Sequence, residues 1–169
     1  MNLGIHPGMR TLPHVLVAAF LLLFTGSAAR ADLVLSGGGA WPSGGGGPRP
    51  VGALGWRGAL ASDWSSEIRG SRAGTACSLR HTGRPWRIGA FSLQPAGAAG
   101  VDLNHTGQGA LIRVAGYHIE TGIAMPMPEG TALELSARWV VRGDGGPRGP
   151  DAFASRYAEV TLGFVFRLE

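Results

Sequence analysis

His118 and Glu120 stand two residues apart in "GYHIETGIAM", and Ser136 lies in the next patterned stretch, "TALELSARWVVRG". In an extended chain, residues two apart project to one side. A carboxylate beside an imidazole orients it and favours its charged form. A hydroxyl within reach completes the set used in nucleophilic hydrolysis. His81 and His105 also lie beyond the N-terminal region, and "LNHTGQG" places His105 in a solvated loop. No His, Cys, Asp or Glu set has metal-ligand spacing. Cys77 is the only cysteine, so it supports neither an intramolecular disulfide nor a Cys-rich metal centre and reads as a small packing residue. The glycine cluster "SGGGAWPSGGGGPRPVG" at 36–52 leads into no helix and lacks the context of a phosphate-cradling loop. No cofactor or metal is expected.

What His118 and Glu120 can do depends on the elements that hold them. The chain has 29 Gly and 11 Pro, which opposes long helices, and no segment carries a 3.6-residue apolar period. Period two appears instead. Residues 131–142 set Leu133, Leu135, Ala137, Trp139 and Val141 against Glu134, Ser136, Arg138 and Arg142. Residues 156–168 set Val160, Leu162, Phe164, Phe166 and Leu168 against Glu159, Thr161, Gly163, Val165 and Arg167. Residues 117–125 set Tyr117, Ile119, Thr121, Ile123 and Met125 against His118, Glu120, Gly122 and Ala124; this strand begins near Ala110, with a bulge at Gly116. Fainter strands are expected at 32–41, 51–61 (Leu54, Trp56 and Leu60 opposite Arg57), 64–72, 75–81 and 86–93, eight strands in all.

The connections alternate in length. Those near Ser62-Asp63, near Gly83 and from Pro126 to Gly130 are short; those at 42–50, 94–109 and 143–155 are long, and only the one near Ala73-Gly74 breaks the pattern. Short turns at one end and long loops at the other mark an outer-membrane barrel. A soluble β-sandwich or lipocalin-like periplasmic module is the other reading, with the apolar face inside. Eight strands of about 9–11 residues fit within 32–169. In a barrel, Arg57, His118, Glu120, Glu134, Arg138, Glu159 and Arg167 face a narrow lumen, where charges must pair or be hydrated. Trp64 and Trp86 fall near the short turns, and Trp41, Trp139 and Tyr157 near the long loops, as two aromatic girdles require.

The N-terminus reads as a secretory signal peptide over 1–31. Arg10 precedes an apolar run from Val15 to Phe24, and Ala29-Arg30-Ala31 forms a small-x-small cleavage pattern. The run is far shorter than the roughly 20 residues of a spanning helix. No cysteine follows closely enough to suggest a lipoprotein. The barrel domain is expected over 32–169. Its basic residues are all Arg, scattered rather than clustered, which disfavours nucleic-acid binding.

The run "GYHIETGIAMPMPEGTALELSARWVVRG…RYAEVTLGFVFRL" resembles the C-terminal half of small outer-membrane β-barrels of the OmpA transmembrane-domain and OmpX kind. The resemblance implies an all-β, antiparallel up-and-down transmembrane barrel of eight strands with periplasmic termini. It also implies a final strand that the outer-membrane assembly machinery reads, with Phe164, Phe166 and Leu168 at the signal positions. The chain ends in Arg167-Leu168-Glu169 rather than on an aromatic. No peptidoglycan-binding module of the OmpA kind is expected. Some small barrels are lipid A deacylases, but their His-x-Ser motif is absent, since Glu120 stands two after His118. The expectation is therefore a non-enzymatic, monomeric protein of the bacterial outer membrane. It would contact outer-membrane lipid and lipopolysaccharide, contribute to envelope structure or to surface interaction through 94–109 and 143–155, and be too tightly filled for a general porin.

Overall fold

The computed structural model describes residues 31–43, 45–71, 74–105, 112–142 and 156–168. The expected signal peptide, apart from Ala31, and the loop at 143–155 lie outside the described residues. The strands are β1 (Ala31–Pro42), β2 (Arg49–Ala59), β3 (Trp64–Ser71), β4 (Gly74–Thr82), β5 (Trp86–Ile88), β6 (Phe91–His105), β7 (Ile112–Pro126), β8 (Thr131–Arg142) and β9 (Arg156–Leu168). Every pairing is antiparallel. The order β4-β3-β2-β1-β9-β8-β7-β6 closes on itself through β4–β6, leaving β5 as a short outlier on β6. Eight strands thus form a closed up-and-down barrel, which leaves no free edge in the wall.

One expected boundary is corrected. The fifth barrel strand is Phe91–His105, not 86–93, so residues 94–105 are wall rather than outer loop, and His105 ends a strand. The segment hides because Gly97, Ala98, Ala99 and Gly100 give it no bulky alternation. Pro95 is tolerated because the β4 ladder ends beside it, at Thr82↔Ala96. The expected irregularity at Gly116 is present: Asp102 faces Gly116 while the next pair is Leu103↔Val114.

Burial alternates along the strands, but with inverted polarity. In β8 and β9 the buried positions include Glu134, Ser136, Arg138, Arg142, Glu159 and Thr161, while Leu135 (53 %) and Leu162 (51 %) are exposed. Ile123, Leu135 and Leu162 are register partners and form one outward row. The interior is polar and charged and the exterior apolar. The apolar interior that a soluble sandwich or lipocalin-like module needs is not what this closed barrel has. The inward side is also crowded. A Cβ on Gly100 would strike the Cys77 carbonyl and come within 2.7 Å of the His118 ring, so glycine there makes room for an imidazole.

Candidate functional site

The lumen is built in tiers. At the short-turn end, a vestibule of about 500 Å³ is lined by residues including Asp32, Asp63, Gln94 and Arg167, and its floor is Arg57, Arg80 and Glu134. These three belong to a closed ring of alternating charges. Glu67 accepts from Arg57 at 2.7 Å and from Arg69 at 2.8 Å. Glu120 accepts from Arg69 at 3.4 Å and Arg80 at 3.1 Å. Glu134 closes the cycle with Arg80 at 3.0 Å and Arg57 at 3.2 Å. The six side chains come from β2, β3, β4, β7 and β8, so most links cross the lumen between strands that are not neighbours. All six are at least nine-tenths buried. Two unlike partners for each ion offset much of the cost of taking these charges from water.

The next tier, toward the loop end, centres on His118. Its Nε2 is 2.9 Å from Ser78 Oγ, and its Nδ1 is 3.3 Å from Asp102 Oδ2. Arg138 donates to Asp102 Oδ1, and its Nη2 is 3.0 Å from the same Nδ1. Hydroxyl, imidazole and carboxylate stand in the sequence of a nucleophile–base–orienter relay. The His118 side chain, however, has no exposed surface, and the vestibule does not reach Ser78, His118 or Asp102. Beyond this tier Tyr157 packs with Ala40 and Val140, and the Arg142 guanidinium lies 5.6 Å from its ring centroid.

Of the residues expected in the lumen, Arg57, Glu120 and Glu134 lie in the ring, and His118 and Arg138 in the relay tier. Glu159 is buried opposite Arg138 in the β8–β9 register. Arg167 has inward parity but sits at the rim, with its side chain 61 % exposed and 4.0 Å from Asp32. It is a mouth residue, not part of the buried network. The expected partnership of His118 with Glu120 and Ser136 does not form: Glu120 is held by arginines, and Ser136 Oγ bonds Thr161 Oγ1 at 2.9 Å.

Among the girdle residues, Trp41, Trp64, Trp86 and Trp139 are exposed on the outer surface. Trp41 and Trp139 flank Ala158 across β9. Trp64 lies against His81, with ring centroids 4.9 Å apart. Tyr157 is a correction. It is 1 % exposed and faces the lumen, as its shared parity with Glu159 dictates. Tyr117, by contrast, is exposed toward the loop end. At the C-terminus Phe164 and Leu168 are exposed, and Phe166 stacks on Phe164 at 6.3 Å. Sequence reasoning missed Glu67, Arg69, Ser78, Arg80 and Asp102. In the first four the signal was polar alternation, Glu67/Arg69 and Ser78/Arg80, about Ile68 and Leu79, in strands whose opposite face is broken by Ser66, Gly70 and Cys77.

No family model and no curated protein matches the sequence. Solved structures do. The N-terminal β-barrel domain of Pseudomonas aeruginosa OprF aligns with a TM-score of 0.52 at 12% identity, covering 84% of this chain and 99% of that one. Neisserial surface protein A aligns with a TM-score of 0.54 at 12% identity, covering 81% and 95%. The chain has the fold of the small outer-membrane β-barrels. The inverted polarity, with charges inward and an apolar band outward, is the arrangement a transmembrane barrel fold requires.

Proposed function

We propose that this chain is an integral protein of the bacterial outer membrane, with its short turns and strand termini in the periplasm and its long connections outside. It acts as a sealed structural barrel that presents its outer loops for surface interaction. The observation that supports this reading is the closed Arg–Glu ring, which ties β2, β3, β4, β7 and β8 across the lumen. A general porin needs a water-filled bore, and six buried ring side chains crossing this lumen favour a blocked one. The buried relay around His118 serves packing and charge balance rather than catalysis. The partners are outer-membrane lipid and lipopolysaccharide around a single copy of the chain, and the assembly machinery at Phe164, Phe166 and Leu168.

Two measurements test the proposal together. In isolated outer membranes, mobility in detergent gels should shift on boiling. The purified barrel in a planar bilayer should then show no porin-sized conductance. Recovery in the soluble periplasmic fraction without a mobility shift would overturn the membrane assignment. Stable large-conductance steps would overturn the seal.

A further inference from the structure

The hairpin at the short-turn end has no part in the lumen. β5 pairs only with the first residues of β6, in the register Trp86↔Leu93, Arg87↔Ser92 and Ile88↔Phe91. The wall stops sooner, since β6 pairs with β7 only from Gln94 and with β4 only from Ala96. Residues 91–93 and their partners therefore extend about 10 Å past the wall, at the usual rise per residue. Gly89, at φ +61°, takes the first place of the two-residue turn, the position a tight hairpin reserves for glycine.

Directly paired residues point the same way, and successive residues alternate. Trp86, Leu93, Ile88 and Phe91 thus share one face, and Arg87 and Ser92 the other. Leu93 has the parity of Gly97, Ala99 and Val101, which point away from the lumen, so the apolar face continues the lipid-facing wall. Trp86, Ile88 and Phe91 are 57, 59 and 62 % exposed. The vestibule lining includes Gln94 but none of 86–91, so the hairpin does not cap the mouth. Arg84 and Arg87 are exposed, and no carboxylate pairs with either among the described residues.

We propose that the hairpin Trp86–Leu93 is a lipid anchor. Its apolar face seats at the headgroup–acyl boundary of the leaflet that meets the short-turn end, and Arg84 and Arg87 reach phospholipid phosphates. The periplasmic identity of that leaflet rests on the orientation proposed above. Continuity with the lipid-facing wall favours lipid over a soluble protein as the occupant. Interfacial Trp, apolar side chains on one face and Arg beside them are the composition that lies in a headgroup layer.

Site-directed spin labels on the full barrel in phosphatidylcholine–phosphatidylglycerol vesicles test this. Labels at Ile88→Cys and Phe91→Cys, in a Cys77→Ala background, are compared with labels at Arg87→Cys and Ser62→Cys. The labels at 88 and 91 should collide readily with oxygen and poorly with a water-soluble nickel chelate, and the label at 87 should do the reverse. Nickel accessibility at 88 and 91 equal to that at 62 would overturn the anchor and leave the face free for a soluble partner. The boiling-dependent mobility shift of each labelled protein reports separately on the barrel. Its loss in the Cys77→Ala parent would overturn the membrane reading instead, and its loss in one labelled variant leaves the other label on the same face to decide.

Discussion

Glu134→Gln converts the neutral ring into one with an excess positive charge while keeping nearly the same shape. Arg57 retains Glu67 at 2.7 Å and Arg80 retains Glu120 at 3.1 Å, so neither arginine is stranded completely. Both are at least nine-tenths buried, and water cannot replace the lost carboxylate fully. Breaking a buried pair typically costs 3–5 kcal/mol; the surviving partners place this case near the low end, about 3 kcal/mol. Arg57→Met leaves the opposite imbalance, with Glu67 still held by Arg69 and Glu134 by Arg80, and should cost a similar amount. The double variant leaves Glu67–Arg69–Glu120–Arg80, which is neutral and alternating. It should therefore be less damaged than the sum of the singles, with a coupling of about 1–3 kcal/mol. Reversible urea unfolding of the barrel in lipid vesicles, read as the fraction with unboiled mobility, measures all three. Single costs below about 1 kcal/mol that add to within about 0.5 kcal/mol would mean independently hydrated charges. The ring would then not be a seal.

The outward face, the crowded glycine and the buried relay give further predictions. Leu135→Arg, in the row with Ile123 and Leu162, should lower stability in vesicles by about 2–4 kcal/mol, as a cation near the bilayer midplane does; a neutral effect in the same urea assay would mean that this face meets water. Gly100→Ala should cost about 1–3 kcal/mol by driving a methyl against the Cys77 carbonyl and the His118 ring. Gly37→Ala, whose added carbon meets nothing closer than 3.8 Å, should leave the urea midpoint unchanged or slightly raised. A fluorophosphonate probe on the folded barrel should leave Ser78 unmodified; labelling that Ser78→Ala abolishes would convict the relay of real nucleophilicity.

Strand type and the facing of β7, β8 and β9 were legible because bulky residues and charges alternate there without interruption. Once Leu135 and Glu134 are known to take opposite sides, every other residue of β8 follows. Tyr157 is legible by the same rule: its residue type suits a girdle, but its parity with Glu159 turns it inward. β3 and β4 were harder. Their outward positions include Ser66, Gly70 and Cys77, so the bulky half of the period-two pattern is reduced to Trp64, Ile68 and Leu79. β6 was harder still, because the side chains facing its small residues come from other strands, and the His118 ring occupies the space left open by Gly100. The relay depends on Ser78 and Asp102 approaching His118 from β4 and β6. Those contacts are 40 and 16 residues apart along the chain, and spacing cannot reveal them before the register of the closed barrel is known.

A lumen crossed by a ring of ion pairs also specifies the barrel that contains it. Every second residue of a narrow wall points inward, and an apolar lumen would leave both faces of each strand alike, so that register could slip by one residue at little cost. In the membrane setting proposed above, such a slip would turn the ring charges toward hydrocarbon, at up to about 2–4 kcal/mol for each Arg near the midplane. The ring is also satisfied only when the wall is complete. Glu134 on β8 needs Arg57 on β2 and Arg80 on β4 at once, and Glu120 on β7 needs Arg69 on β3 and Arg80 on β4. None of these pairs lies on adjacent strands, so no isolated hairpin can form them. The same contacts that cross the lumen therefore favour the closed barrel over every partly paired sheet, which is why the double variant of Arg57 and Glu134 probes barrel closure and the proposed seal together.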